Sequence, residues 1–67
     1  MTTLNKEKIR SLREQKGASL SEMSEKIFIS KSMLGQIETG ARIPNANILK
    51  AIAEYLSVTT DNLFDSW

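Results

Sequence analysis

The side chains able to do chemistry in this sequence are mostly hydrogen-bond donors: nine lysines and arginines, with serines, threonines and glutamines between them. Histidine and cysteine are absent. Their absence removes the commonest metal ligand, the commonest general base and every thiol nucleophile. There is no glycine-rich phosphate loop, and 67 residues are too few to enclose a sizeable substrate pocket. No enzyme activity, metal site or cofactor is expected. What remains is donor chemistry, suited to an extended anionic surface. The densest group is Lys31, Ser32, Gly35, Gln36 and Thr39, which recur on one side of a helix. Lysine can reach guanine O6 and N7, glutamine can pair with adenine N6 and N7, and serine can contact either purine edge. Gly35 keeps the middle of that face low, so that it can approach base edges closely.

The charge distribution agrees with an anionic partner. Residues 1–42 carry a net charge of +3 and residues 43–67 one of −2, within an overall +1. A small domain polarised in this way suits an anion on one face. The first residues hold no apolar run of signal-peptide type, and no stretch approaches the roughly 20 apolar residues of a membrane span. The expectation is a cytoplasmic protein, nucleoid-associated in a bacterial or phage context, with no membrane partner. At this length residues 1–67 form one domain. Its core leaves a margin of roughly 3–5 kcal/mol, so that association with a second copy would help.

Five short helices are expected to position these groups, an all-α architecture. The first runs from about Asn5 to Lys16, turns Ile9 and Leu12 inward and stops at Gly17, a residue suited to the left-handed position after a helix. Ser19-Leu20-Ser21-Glu22 is a capping box that opens the second, in which Leu20, Met23 and Ile27 form one stripe. Ser30 caps the third, Leu34 and Ile37 face inward, and Gly40 ends it. Pro44 disfavours helix at Ile43. Asn45 caps the fourth, whose Ile48, Leu49, Ile52, Ala53 and Leu56 make a wide apolar face. Thr59 caps a fifth, carrying Leu63 and Phe64. No β-type alternation of useful length is apparent.

The second and third helices are separated only by about Phe28-Ile29-Ser30. So short a connection makes them cross steeply instead of lying antiparallel. The third then protrudes and fits a major groove about 12 Å wide. The ordered set Ile9-Arg10-x-Leu12-Arg13, Lys16-Gly17-x-Ser19, Met23, Ile29-Ser30-Lys31-Ser32-x-Leu34-x-Gln36-Ile37-Glu38-x-Gly40-x-Arg42-x-Pro44, Ile52-Ala53-x-x-Leu56-x-Val58 and Leu63 resembles the Cro/cI-type (XRE) helix-turn-helix repressors over about residues 5–65. The resemblance implies a compact five-helix, lambda-repressor-like domain in which residues 19–39 are the helix-turn-helix. It implies base contacts by Lys31, Ser32, Gln36 and, through a thymine methyl, Met33. It implies phosphate contacts by Ser19, the backbone N–H of Leu20, Thr39, Arg42 and Asn45. Phosphate contacts set register and affinity but read no sequence. It also implies that Arg13 pairs with Glu38, which is then structural, since an unpaired carboxylate would repel phosphates.

The sequence departs from that pattern at three places. Leu20 replaces a glutamine that would grip phosphate, so Ser19 and the backbone must serve. Ser24 stands where alanine is usual and is small enough to fit. Phe28 stands at the turn where glycine is usual; a non-glycine residue in the left-handed region costs roughly 1–2 kcal/mol. The expectation at Phe28 is a strained turn, a different backbone, or packing over the corner or against a partner.

One such domain covers about half a site, and two-fold dimers bind half-sites roughly 34 Å apart. A homodimer is expected through the fifth helix and tail, residues 59–67, and the end of the fourth helix, using Tyr55, Leu63, Phe64 and Trp67. The function expected is a sequence-specific regulator of transcription that binds double-stranded DNA, a repressor on a palindromic operator. The alternative is a protein-interaction module of antitoxin or anti-repressor type, with DNA binding secondary. Phe28 and Trp67 favour that alternative.

Overall fold

The computed structural model describes the backbone of residues 2–66 and the side chains of residues 3–65. It contains four α-helices: α1 (Lys6–Gln15), α2 (Leu20–Lys26), α3 (Lys31–Thr39) and α4 (Ala46–Leu56). Each opens on a polar side chain that accepts a hydrogen bond from a backbone N–H three residues on: Asn5, Ser19, Ser30 and Asn45. At α2 the capping box is complete. The Glu22 N–H donates to Ser19 Oγ at 3.1 Å, and the Ser19 N–H donates to Glu22 Oε1 at 3.2 Å. The first N–H groups of a helix have no partner within it, so these bonds fix where each helix begins.

The four helices also end alike. After each, one residue takes a left-handed backbone, and the next N–H reaches back to a carbonyl five residues earlier. These bonds are Ala18 to Arg13 (3.2 Å), Ile29 to Ser24 (3.0 Å), Ala41 to Gln36 (2.9 Å) and Val58 to Ala53 (3.0 Å). The left-handed residues are Gly17, Phe28, Gly40 and Ser57, with φ of 78°, 60°, 87° and 59°. This is the Schellman reversal, for which glycine is the ordinary residue.

The core is drawn from every helix: Ile9, Met23, Ile27, Leu34, Ile37, Ile52, Ala53, Leu56 and Leu63 are buried together. Leu4, Leu12, Leu20, Ile48 and Leu49 pack against them from partly exposed positions. Ser24 is buried and donates its hydroxyl to the Ser21 carbonyl, so its polar atom is satisfied within α2.

The fifth helix is not formed as expected. Thr59 does cap a turn, but it is a single 3-10 turn, Thr60–Leu63, after which the chain extends into a strand. Two strands, β1 (Thr2–Leu4) and β2 (Phe64–Ser66), pair antiparallel with Leu4 opposite Phe64. The Asn5 N–H donates to the Leu63 carbonyl at 2.7 Å, and Asn5 Nδ2 donates to Asp65 Oδ1 at 3.2 Å. Residues 63–66 find partners at the other end of the chain, and one turn of isolated helix offers less than that. Leu63 is 0% exposed within this monomer and has no surface left for a second copy.

Candidate nucleic-acid interface

The residues that set α3 in place lie on its inner side. Leu34 and Ile37 are in the core, and Glu38 beside them is only 8% exposed. A carboxylate so placed must be compensated. Arg13, on α1, donates from Nε to Glu38 Oε2 at 2.8 Å and from Nη2 to Glu38 Oε1 at 3.1 Å. Its Nη1 donates to the Ala18 carbonyl at 2.9 Å. This planar two-point pairing is the strongest form of arginine–carboxylate bond. It ties α1, the loop before α2 and α3 together. The hydrogen bond to Glu38 pushes the Arg13 pKa further up, against the effect of burial, so the guanidinium stays charged. With its charge matched, Glu38 presents no net negative field at the outer face.

That outer face carries Lys31, Ser32, Gln36 and Thr39, all exposed, while Met33 and Gly35 are half-buried. An α-helix such as α3 is about 10–12 Å across with its side chains, which fits a major groove about 12 Å wide. A side chain at Gly35 would meet no atom within 4 Å. The glycine is therefore not required by packing within the protein. Met33 packs partly against the core, so only its edge is available outside.

The expected phosphate-contacting groups lie at the start of α2, the end of α3 and the loop into α4, and several already have partners. Ser19 Oγ accepts from the Glu22 N–H, and the Glu22 carboxylate covers the Ser19 N–H. Donors left at that end include the Ser19 hydroxyl proton and the N–H groups of Leu20 and Ser21. Thr39 Oγ1 donates to the Gln36 carbonyl at 3.2 Å, so its proton must turn away from that bond to meet a phosphate. Asn45 Oδ1 caps α4, which leaves Nδ2 as its donor end. Arg42 is exposed and donates from Nε to Gln36 Oε1 at 3.1 Å. Two groups given different roles from sequence, a base reader and a phosphate anchor, are thus in direct contact. Lys6 at the start of α1 lies over Gly40, its Nζ 3.0 Å from where a Cβ would stand, and so adds a cation beside Arg42. Sequence reasoning did not bring Lys6 to this end of α3. The signal was indirect: Gly40 permits both the left-handed turn and the approach of the lysine.

The other expected positions scatter. Tyr55 is half-buried and its ring lies 5.0 Å from Lys16 Nζ, a cation–π contact between the end of α1 and α4. Phe64 is half-buried on β2, and Trp67 lies outside the described residues. Phe28 keeps the left-handed backbone, and its side chain is 94% exposed. Of the expectations for Phe28, a changed backbone and packing over the corner are both excluded by this geometry. Among the described residues no group of acidic side chains could hold a metal ion, and no helix is long and apolar enough to cross a membrane.

Residues 9–63 match the model of a family described as helix-turn-helix. The chain belongs to the XRE-type helix-turn-helix family. That family is one of DNA-binding transcriptional regulators. Two relatives illustrate the range of the helix-turn-helix family. The HTH-type transcriptional activator BcrR of Enterococcus faecalis is 33% identical over 57 residues, 85% of this chain and 28% of BcrR. The uncharacterized HTH-type transcriptional regulator YazB of Bacillus subtilis is 38% identical over 56 residues, 84% of this chain and 81% of YazB. This chain thus spans little more than a quarter of the first relative and most of the second. Among solved structures, SinR of Bacillus subtilis, a master regulator for biofilm formation crystallised with DNA, superposes with a TM-score of 0.82. It is 33% identical, with 90% of this chain and 97% of that chain covered. A structure of SinR in complex with the SinI protein has also been solved.

Proposed function

We propose that this protein is a sequence-specific regulator of transcription that inserts α3 into the major groove of double-stranded DNA. In this reading α2 and α3 are the helix-turn-helix. Lys31, Ser32, Met33 and Gln36 meet base edges. Ser19, the Leu20 N–H, Thr39, Arg42 and Asn45 hold the flanking phosphates. The observation that carries it is the composition of α3. Its outer face is polar and exposed, and its one carboxylate is turned inward and paired with Arg13. A solvated helix needs no such separation, whereas a helix that approaches phosphates does.

A single domain covers one half-site, so the reading extends to a homodimer on a palindromic operator. Tyr55, Phe64 and Trp67 are the residues proposed for its interface. Repression is the proposed sense of regulation, because occupying a promoter requires DNA binding alone. Activation requires a further contact with polymerase. The test is binding to duplex DNA across a salt series. Log affinity is expected to fall linearly with log salt, by about 0.9 for each phosphate neutralised. Weak binding with a flat salt response would overturn the reading.

A second reading rests on Phe28, exposed at a strained turn beside Ile27, Ala51 and Tyr55. It is a protein-interaction module of antitoxin or anti-repressor type, and flat, weak DNA binding is the result that would favour it.

A further inference from the structure

The contact between Arg42 and Gln36 bears on how sequence is read. It begins in the backbone. Gly40 reverses the chain at the end of α3, and the N–H groups of Ala41 and Arg42 both donate to the Gln36 carbonyl, at 2.9 and 3.2 Å. The Thr39 hydroxyl donates to the same oxygen. Residue 42 is therefore pinned beside residue 36 before any side chain is considered. The side chains then join, Arg42 Nε to Gln36 Oε1 at 3.1 Å. Arginine has donors only, so it can face only the oxygen of the amide. The bond settles which end of the Gln36 amide is held and leaves Nε2 as the free end. It also leaves both Nη groups of Arg42 for other partners.

We propose that Arg42 is a positioning residue for base recognition as well as a phosphate anchor. It holds the flexible Gln36 side chain in one orientation before DNA arrives, so that part of the sequence preference passes through a residue that need not touch a base. This rests on the DNA-binding reading above. A glutamine held in advance loses less freedom on binding than a free one, and pre-organisation of this kind strengthens recognition. A plain phosphate anchor would behave differently, because it raises affinity for all sequences equally.

The experiment is selection of preferred sites from a pool of randomised duplexes. It uses the wild-type protein, Gln36→Ala, Arg42→Ala and the double variant, with affinities then measured on single-base variants of the preferred site. Both side chains are exposed, so the variants fold, and circular dichroism checks this. Gln36→Ala is expected to lose discrimination at one base pair, by about fivefold or more. Arg42→Ala should lose it at that same base pair, and the double variant should discriminate no worse there than either single variant. If Arg42→Ala weakens all sequences alike and keeps the full preference at that base pair, the positioning role is wrong. If the wild type shows neither sequence preference nor salt-dependent binding, the DNA reading itself has failed, and the positioning role falls with it.

Discussion

The two sides of α3 obey different rules. Inside, Leu34 and Ile37 are fully buried, and Glu38 has a two-point partner in Arg13. Each inner residue is what local physics would choose for a packed, satisfied interior. Outside, the choices cost stability or add none. Gly35 sits in mid-helix with open space above it. Away from that face, on the turn between α2 and α3 and beside Ala51 and Tyr55, Phe28 likewise combines a left-handed backbone with an almost wholly exposed ring. Natural sequences tend to break local rules where function requires it. The contrast therefore supports the proposal that the inner side serves folding and the outer side a partner.

Glu38→Ala is the strongest test of the inner side. It leaves the Arg13 guanidinium buried and unpaired, a change that costs about 3–5 kcal/mol. That is comparable with the whole stability of a domain this small, so the variant is expected to be largely unfolded by circular dichroism at room temperature. Replacing both partners, as Arg13→Met with Glu38→Leu, removes the two charges together and should restore a cooperative thermal transition. If Glu38→Ala alone melted like the wild type, the inner side would not be governed by the pair.

On the outer side, Gly35→Ala should act with opposite signs on folding and on binding. Alanine in a helix interior is more stable than glycine by about 1 kcal/mol, and here it meets no neighbour. The melting temperature should rise by about 4–8 °C for a domain of this size. If α3 enters the groove closely, the added methyl group should weaken DNA binding in the same variant. A rise in both stability and affinity would mean that Gly35 serves no close approach, and the contrast between the sides would lose its clearest example.

How much of this was legible from sequence depends on range. The four helices were legible because their signals are local: the caps Ser19, Ser30 and Asn45 each bond within three residues, whereas Asn5, expected inside the first helix, is in fact its cap. The strand pair escaped notice because its halves are three residues long and lie at opposite ends of the chain. Neither half shows enough alternation to register alone. The same pairing converted the expected fifth helix into one turn and a strand, and moved Leu63 from a supposed interface into the core. At the interface, which residues face outward followed from helical spacing. The bond between Gln36 and Arg42 did not, although its cause was in view. A glycine at position 40 reverses the chain, and the reversal brings residue 42 back to residue 36.

Phe28→Gly is the smallest expected effect, and its sign matters more than its size. Glycine accepts φ near 60° freely, whereas a residue with a side chain is strained there. Against this, glycine gains freedom in the unfolded chain, which offsets part of the benefit. The net gain should be about 0.5–1 kcal/mol in denaturant unfolding. It should be a gain because the exposed ring buries almost nothing that the mutation could remove. At Gly40 a side chain would meet both a left-handed backbone and the Lys6 chain at 3.0 Å. The exposed Lys6 chain can swing aside, so the backbone is the main reason for glycine at residue 40, as it would be at residue 28. If Phe28→Gly proved less stable than the wild type, the ring would be contributing to the fold. Phe28 would then belong with the inner residues, and the case that it marks a partner surface would fail.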